Sequence, residues 1–198
     1  MRMALFAVIL ATTTPAHAED LQKAVVAGGC FWCVESDFDQ VDGVVETISG
    51  FAGGDTVDPT YKQVVRGGTG HTEAVEITYD ADIVSYSDLL HFFWRSVDPT
   101  DAGGQFCDRG DSYRTEVFFS TPEEQDLAAA SKAQAEAALG APIVTEISEL
   151  DGFYPAEDYH QDFYRKSPVR YKTYRQGCGR DKRIEMLWGD AALTAPHS

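Results

Sequence analysis

Residues 25–35 read Val25-Val26-Ala27-Gly28-Gly29-Cys30-Phe31-Trp32-Cys33-Val34-Glu35, and few backbone solutions suit that order. A short apolar run meets a glycine pair, then two aromatics and two cysteines, which predicts a strand, a tight turn and the first turn of a helix. The glycines lack a Cβ, so the chain can turn sharply and a second molecule can approach the following sulfur closely. Cys30 then stands at a helix entrance, where outward-pointing backbone N–H groups favour a thiolate over a thiol. It is the candidate nucleophile. Phe31 and Trp32 cannot both be buried by so short a segment, so at least one is expected to line an apolar pocket. The same residues also admit a structural disulfide or half of a zinc site, and a lone CxxC pair leaves those readings open.

The first eighteen residues have the build of a secretory signal. Arg2 supplies the positive start, Met3 to Ala11 an apolar run, and Ala16-His17-Ala18 a small-x-small cleavage site, so cleavage is expected after Ala18. The run is too short to anchor the mature chain in a bilayer. Residues 19–198, roughly 180 in number, suit one domain with a substantial core. The expectation is an exported, periplasmic, soluble monomer with no membrane attachment after cleavage. The full chain's formal net charge of −16 argues against nucleic acid as a partner, because phosphates would be repelled. Four cysteines, Cys30, Cys33, Cys107 and Cys178, allow three disulfide pairings, and the sequence does not choose among them. A chain of this length needs no staples to fold, which leaves the cysteines free to be working thiols.

Taken in order, Lys23 to Ala27 reads as a first strand, Trp32 to Gln40 as a helix closed by Gly43, and Val44 to Phe51 as a second strand. A turn at Asp58-Pro59-Thr60-Tyr61 leads into a short helix to about Arg66, and the loop 67–70 delivers an alternating strand from His71 to Tyr79. Ser85 to Val97 is an amphipathic helix stopped by Pro99. Residues 98–114 read as a long loop, and loops of that length in a small domain are often functional. Thr115 to Phe119 is a fourth strand. Thr121, Pro122 and Glu124 predict a capping box that opens a helix to Leu139, with Gly140 ending it. Ile143 to Ile147 reads as a fifth strand, 153–164 as part loop and part helix, 176–179 as flexible, and Arg180 to Trp188 as a terminal helix. This order predicts an α+β two-layer sandwich: a mixed, largely antiparallel sheet with packed helices, built on a ferredoxin-like core.

Five stretches then carry a resemblance: GCFWCVE (29–35), DPTYKQVVRGGTGHTEAVEITYD (58–80), SYSDLLHFFWRSVDPT (85–100), QFCDRGDSYRTEVFF (105–119) and FYPAEDYHQDFY (153–164). The chain resembles the peptide-methionine (S)-S-oxide reductases, the A-type methionine sulfoxide reductases. GCFW together with GHTEAV is far more specific than CxxC alone. The resemblance implies reduction of methionine S-sulfoxide, free and in oxidised proteins or peptides. It implies no cofactor beyond a thioredoxin-type dithiol as electron donor. Position by position it makes Cys30 the nucleophile, Phe31 and Trp32 the apolar wall for the substrate methyl, and Tyr61, Glu73, Asp108 and Tyr113 the polar groups around the sulfoxide oxygen.

The chemistry suits those residues. A sulfoxide sulfur is a poor electrophile until its oxygen is protonated, so a carboxylic acid such as Glu73, raised by desolvation between aromatics, is needed beside the sulfur. Attack leaves a sulfenic acid on Cys30, which a second thiol must condense with. Many relatives carry Gly at the position of Cys33 and Asn at that of Cys107, and usually hold the resolving thiol in a glycine-rich C-terminal tail. Cys178, between Gly177 and Gly179, is the positional match, with Cys33 second and Cys107 third. The charged helix expected at 180–188 is unlike such a tail. A thioredoxin-like thiol-disulfide oxidoreductase and an exported binding module with two structural disulfides are the competing readings. Neither explains HTEAVE or CDRGDSYRT.

Overall fold

The computed structural model describes residues 20–194, and the signal-like residues 1–18 lie outside them. The apolar run before the glycine pair forms β1 (Leu21–Gly28), which lies between β3 (Thr72–Asp80) and β6 (Thr115–Phe119). β2 (Val44–Ala52) pairs on the far side of β3, and β7 (Glu146–Glu149) and β8 (Phe153–Pro155) form the edges. The order is β7-β6-β1-β3-β2-β8, antiparallel throughout except for the parallel pair β6 and β7. With α1 (Phe31–Phe38) between β1 and β2 and α3 (Tyr86–Trp94) between β3 and β6, the inner four strands have the expected ferredoxin-like arrangement.

The unbroken apolar stretch of β1 follows from burial on both faces. Ala24 and Val26 join Val34 and Phe38 of α1 and Leu90 and Phe93 of α3 in the main core. Val25 and Ala27, one residue out of phase, join Ala52, Ala74 and Phe118 in a smaller cluster on the opposite face. The turn that follows needs its glycine: Gly29 has φ +79°, and a Cβ there would lie 2.4 Å from Cβ of Gln105. Gln105 is fully buried, and its amide bonds both the N–H and the carbonyl of Asp98, at 2.9 and 2.8 Å. The loop 98–114 is thereby fastened against the Cys30 turn.

Several boundaries differ from the sequence reading. α3 stops at Trp94, with Arg95 as its C-cap, well before Pro99. The loop 98–114 is not structureless, since it holds a small hairpin, β4 (Gly104–Gln105) with β5 (Asp108–Arg109), and a 3₁₀ turn at Asp111–Tyr113. α4 (Pro122–Leu139) starts on Thr121 and ends on left-handed Gly140, as its residues predict. Its capping box is only half made, because the Glu124 carboxylate takes the Ser120 N–H instead of the cap's own. The strand expected from Ile143 begins at Glu146. The Ile143 N–H is held by the Glu136 carboxylate and the Val144 N–H by the Pro99 carbonyl, so the chain reaches the sheet late.

Larger corrections fall in the C-terminal third. Residues 153–155 form the edge strand β8, where Pro155 is tolerated as the last residue. After the short α5 (Phe163–Lys166), residues 176–179 are not flexible: they close α6 (Pro168–Cys178), with left-handed Gly179 as its C-cap. α7 (Arg180–Trp188) follows at once, on the bounds expected. Buried charge anchors the pair, with Arg175 of α6 bonded to Asp37 of α1 at 2.7 Å and to Asp181 of α7 at 2.6 Å. Among the described residues no helix is long and apolar enough to cross a membrane.

Candidate active site

Cys30 is the N-cap residue of α1, at the mouth of the turn from β1. The helix does not leave its first N–H groups free, however. Phe31 N–H goes to Oε2 of Glu73 at 3.0 Å, while the N–H groups of Cys33 and Val34 bond back to the Cys30 carbonyl. Cys30 is also buried, 6% exposed, and burial pushes its thiol well above the ordinary value. Its hydrogen bond with Cys33 and the charges of Cys33 and Glu73 push the same way, and only the Tyr174 hydroxyl pulls down. The expectation of a thiolate favoured by the helix entrance alone is therefore corrected: desolvation outweighs it. Cys33 moves the other way, lowered by the hydrogen bond from Cys30 and by Arg180 and Arg175, against its own burial.

Glu73 stands on β3, 1% exposed, between the Phe31 N–H and the Tyr113 hydroxyl. Burial is the main cause that raises its carboxyl to about 8, and the Asp108 charge adds to it. At neutral pH the group is mostly a carboxylic acid, with a proton to give. Glu76, three residues on and so facing the other way, merely pairs with Lys23 at 2.6 Å.

Cys30, Phe31, Trp32, Tyr61, Glu73, Asp108 and Tyr113 all line one cavity of about 60 Å³, and Tyr174 of α6 completes it. Tyr61 opens α2 (Tyr61–Arg66), whose start is fixed by a capping box between Thr60 and Gln63 and by the Glu157 carboxylate on the Tyr61 N–H. Burial raises its hydroxyl to about 12, against the lowering effect of the Tyr113 hydroxyl. Both tyrosines therefore stay neutral donors. Phe31 is buried and Trp32 half-buried. Trp32 stacks on Phe163 at 3.8 Å and donates its indole N–H to Nδ1 of His160 at 3.1 Å. His160 in turn lies against the rings of Phe31 and Tyr61, at 5.0 and 4.3 Å, as the back of the aromatic wall.

Asp108 accepts a hydrogen bond from the Tyr174 hydroxyl, and burial raises its carboxyl. Its neighbour Cys107, exposed, is joined in a disulfide to half-buried Cys178 at the end of α6. Cys30 and Cys33 are free and buried. The structure thus takes one disulfide from the three pairings the sequence allowed, with a carboxylate oxygen of Asp108 within 4.8 Å of both bonded sulfurs. Cys178 is helical and held, not on a free tail, and Cys33 is the thiol beside Cys30.

The family model of peptide methionine sulfoxide reductase matches residues 22–192. The chain belongs to that family. Peptide methionine sulfoxide reductase MsrA 2 of Rhizobium meliloti (strain 1021) is 53% identical over 178 residues, which cover 90% of this chain and 89% of that one. MsrA of Listeria monocytogenes (strain F2365) is 49% identical over 172 residues, 86% of this chain and 97% of the relative. Among solved structures, reduced Mxr1 of Saccharomyces cerevisiae superposes with a TM-score of 0.72 at 29% identity, covering 79% of this chain and 90% of that one. Methionine sulfoxide reductase A of Corynebacterium diphtheriae gives 0.68 at 33% identity, covering 75% and 76%. The chain is therefore an oxidoreductase of this class.

Two residues of this reductase site went unassigned in the sequence. His160 lies inside a quoted motif, but its bond to Trp32 spans 128 positions. Tyr174 belongs to a helix the sequence did not reveal; its only local signal is its place four residues before Cys178.

Proposed function

We infer that the protein reduces methionine S-sulfoxide, free and in oxidised proteins, by attack of the Cys30 sulfur while Glu73 protonates the sulfoxide oxygen. The observation that carries this reading is a buried carboxylic acid lining the same cavity as a buried thiol. The substrate methyl would rest on Phe31 and Trp32, and Tyr61 and Tyr113 would donate to the oxygen. A donor removed from a dry site of this kind typically costs roughly 3 kcal/mol of barrier. In the first step the S=O bond breaks, methionine leaves, and the oxygen with the proton from Glu73 ends on Cys30 as a sulfenic acid. The proton Cys30 gave up returns Glu73 to its acid form. A second thiol then attacks the Cys30 sulfur, expelling water and forming a disulfide.

The resting disulfide supports Cys178 as the thiol that finally holds the oxidising equivalent, passed on by exchange to Cys107. Cys33, hydrogen-bonded to Cys30, is the alternative first partner. Exposed Cys107 offers an external dithiol a sulfur to attack. Yeast Mxr1 is known in complex with Trx2, which supports a thioredoxin-type donor here. The pattern of residues 1–18 supports export and repair of oxidised proteins in the periplasm, and mass spectrometry of the native protein is expected to find a mature chain that begins at Glu19.

The test is an assay of the reduced protein on the two separated epimers of a methionine sulfoxide peptide. The S epimer is expected to be consumed and the R epimer left, with Cys30→Ser inactive on both. Consumption of R at a comparable rate, or turnover by Cys30→Ser, would overturn the reading.

A further inference from the structure

We propose that Tyr174 is a further catalytic residue of this reaction: its hydroxyl donates to the Cys30 sulfur and holds it in the form that attacks. The proposal rests on the reading of Cys30 as nucleophile, and the geometry divides the three tyrosines of the cavity between its two ends. Tyr61 and Tyr113 line the cavity with Glu73, and the Tyr113 hydroxyl pulls the Glu73 carboxyl down, so they serve the end where the sulfoxide oxygen is protonated. Tyr174 comes from α6 on the other side, lines the same cavity as Cys30, and bonds its hydroxyl to the Asp108 carboxylate there. Its ring edge meets Trp32 at 5.9 Å, which fixes the direction of the hydroxyl into the cavity.

A hydroxyl has one hydrogen and here has two acceptors. In the structure Asp108 accepts it, while the Cys107–Cys178 disulfide ties the same two segments together, one residue from Asp108 and one helical turn from Tyr174. Two rungs thus join α6 to the hairpin. When an external dithiol opens the sulfur rung, Tyr174 can turn its hydrogen to Cys30 at the moment the enzyme becomes competent for a new substrate. The groups that face Cys30 are Cys33 from α1, Glu73 from β3, Tyr61 from α2, Asp108 and Tyr113 from the 98–114 loop, and Tyr174. Among them Cys33 and Glu73 oppose the negative sulfur, whereas Tyr174 alone favours it. Removal of that donor should move the ionisation of Cys30 upward.

The experiment follows alkylation of Cys30 in the fully reduced protein by iodoacetamide across pH, read on the Cys30 peptide by mass spectrometry. Tyr174→Phe keeps the ring on Trp32 and loses only the hydroxyl. Its profile is expected to shift to higher pH by about one unit, with Cys30 alkylated roughly ten-fold more slowly at neutral pH and the two proteins converging at high pH. Tyr164→Phe, which removes a hydroxyl bonded to Asp39 outside the cavity, should leave the profile where it is. A Tyr174→Phe profile that coincides with wild type or moves down would overturn the proposal, and so would an equal shift in Tyr164→Phe. No sulfoxide takes part, so a protein inert toward sulfoxides would sink the reductase reading without touching this result.

Discussion

Replacing Glu73 by Gln separates what the buried carboxyl gives the reaction from what it costs the fold. The group is 1% exposed, and burial raises it from 4.5 to about 8. A folded-state value above the unfolded one means the native protein holds this proton more tightly. The stability it contributes is complete below about pH 4.5 and drains away as pH rises to about 8. Between 4.5 and neutral pH the loss accumulates at about 1.4 kcal/mol per pH unit, so wild type gives up roughly 3 kcal/mol by pH 7. Gln has no proton to lose, and its carbonyl can still accept the Phe31 N–H. Glu73→Gln is therefore expected to match wild type within ~1 kcal/mol near pH 5, and to exceed it by up to ~3 kcal/mol at pH 7 and by more at pH 9. Urea denaturation of the reduced proteins at the three pH values, followed by tryptophan fluorescence, reads the difference. The same variant should lose on the order of 10²–10⁴ in the single-turnover rate of sulfoxide reduction, the usual weight of a general acid. A variant destabilised by the same amount at every pH would refute the reasoning, because the carboxyl would then carry no buried-proton cost.

Two other perturbations test different parts of the structure. Cys178→Ser should release one methionine per reduced enzyme and then stall with a thioredoxin-type donor; unimpaired multiple turnover would show that the Cys107–Cys178 disulfide is not where the oxidation comes to rest. Arg175→Met leaves Asp37 buried without its 2.7 Å partner and should cost about 3–5 kcal/mol in urea denaturation. Most of that loss should return in the double variant with Asp37→Asn, and no recovery would mean the cost is packing around α6, not charge.

What the sequence made legible were features with a local cause. The glycine pair before Cys30, the apolar alternation of β1 to β3, and the Thr121-Pro122 start with Gly140 end of α4 each announce themselves within a few residues. The features that stayed hidden depend on distant partners. α6 buries only Tyr171 and is otherwise polar, so it has no apolar period to read, and its anchors are ion pairs to Asp37 and Asp181. β8 is three residues long with a proline, and only the edge of β2 makes it a strand. The entrance of α1 was correctly located, yet the fate of its first N–H was not, because its acceptor, Glu73, lies 42 residues away. The Cys107–Cys178 pairing spans 71 residues and joins two segments that the sequence had read as a loop and a flexible stretch.

The central claim is that Glu73 carries a proton beside Cys30 in the working enzyme at neutral pH. Infrared difference spectra of wild type against Glu73→Gln, recorded on reduced protein from pH 5 to 10, read that proton directly. A carboxylic acid C=O band present at pH 7 and lost with a midpoint of about 8 is the predicted result. A difference spectrum that shows only carboxylate bands at pH 7 would contradict the account.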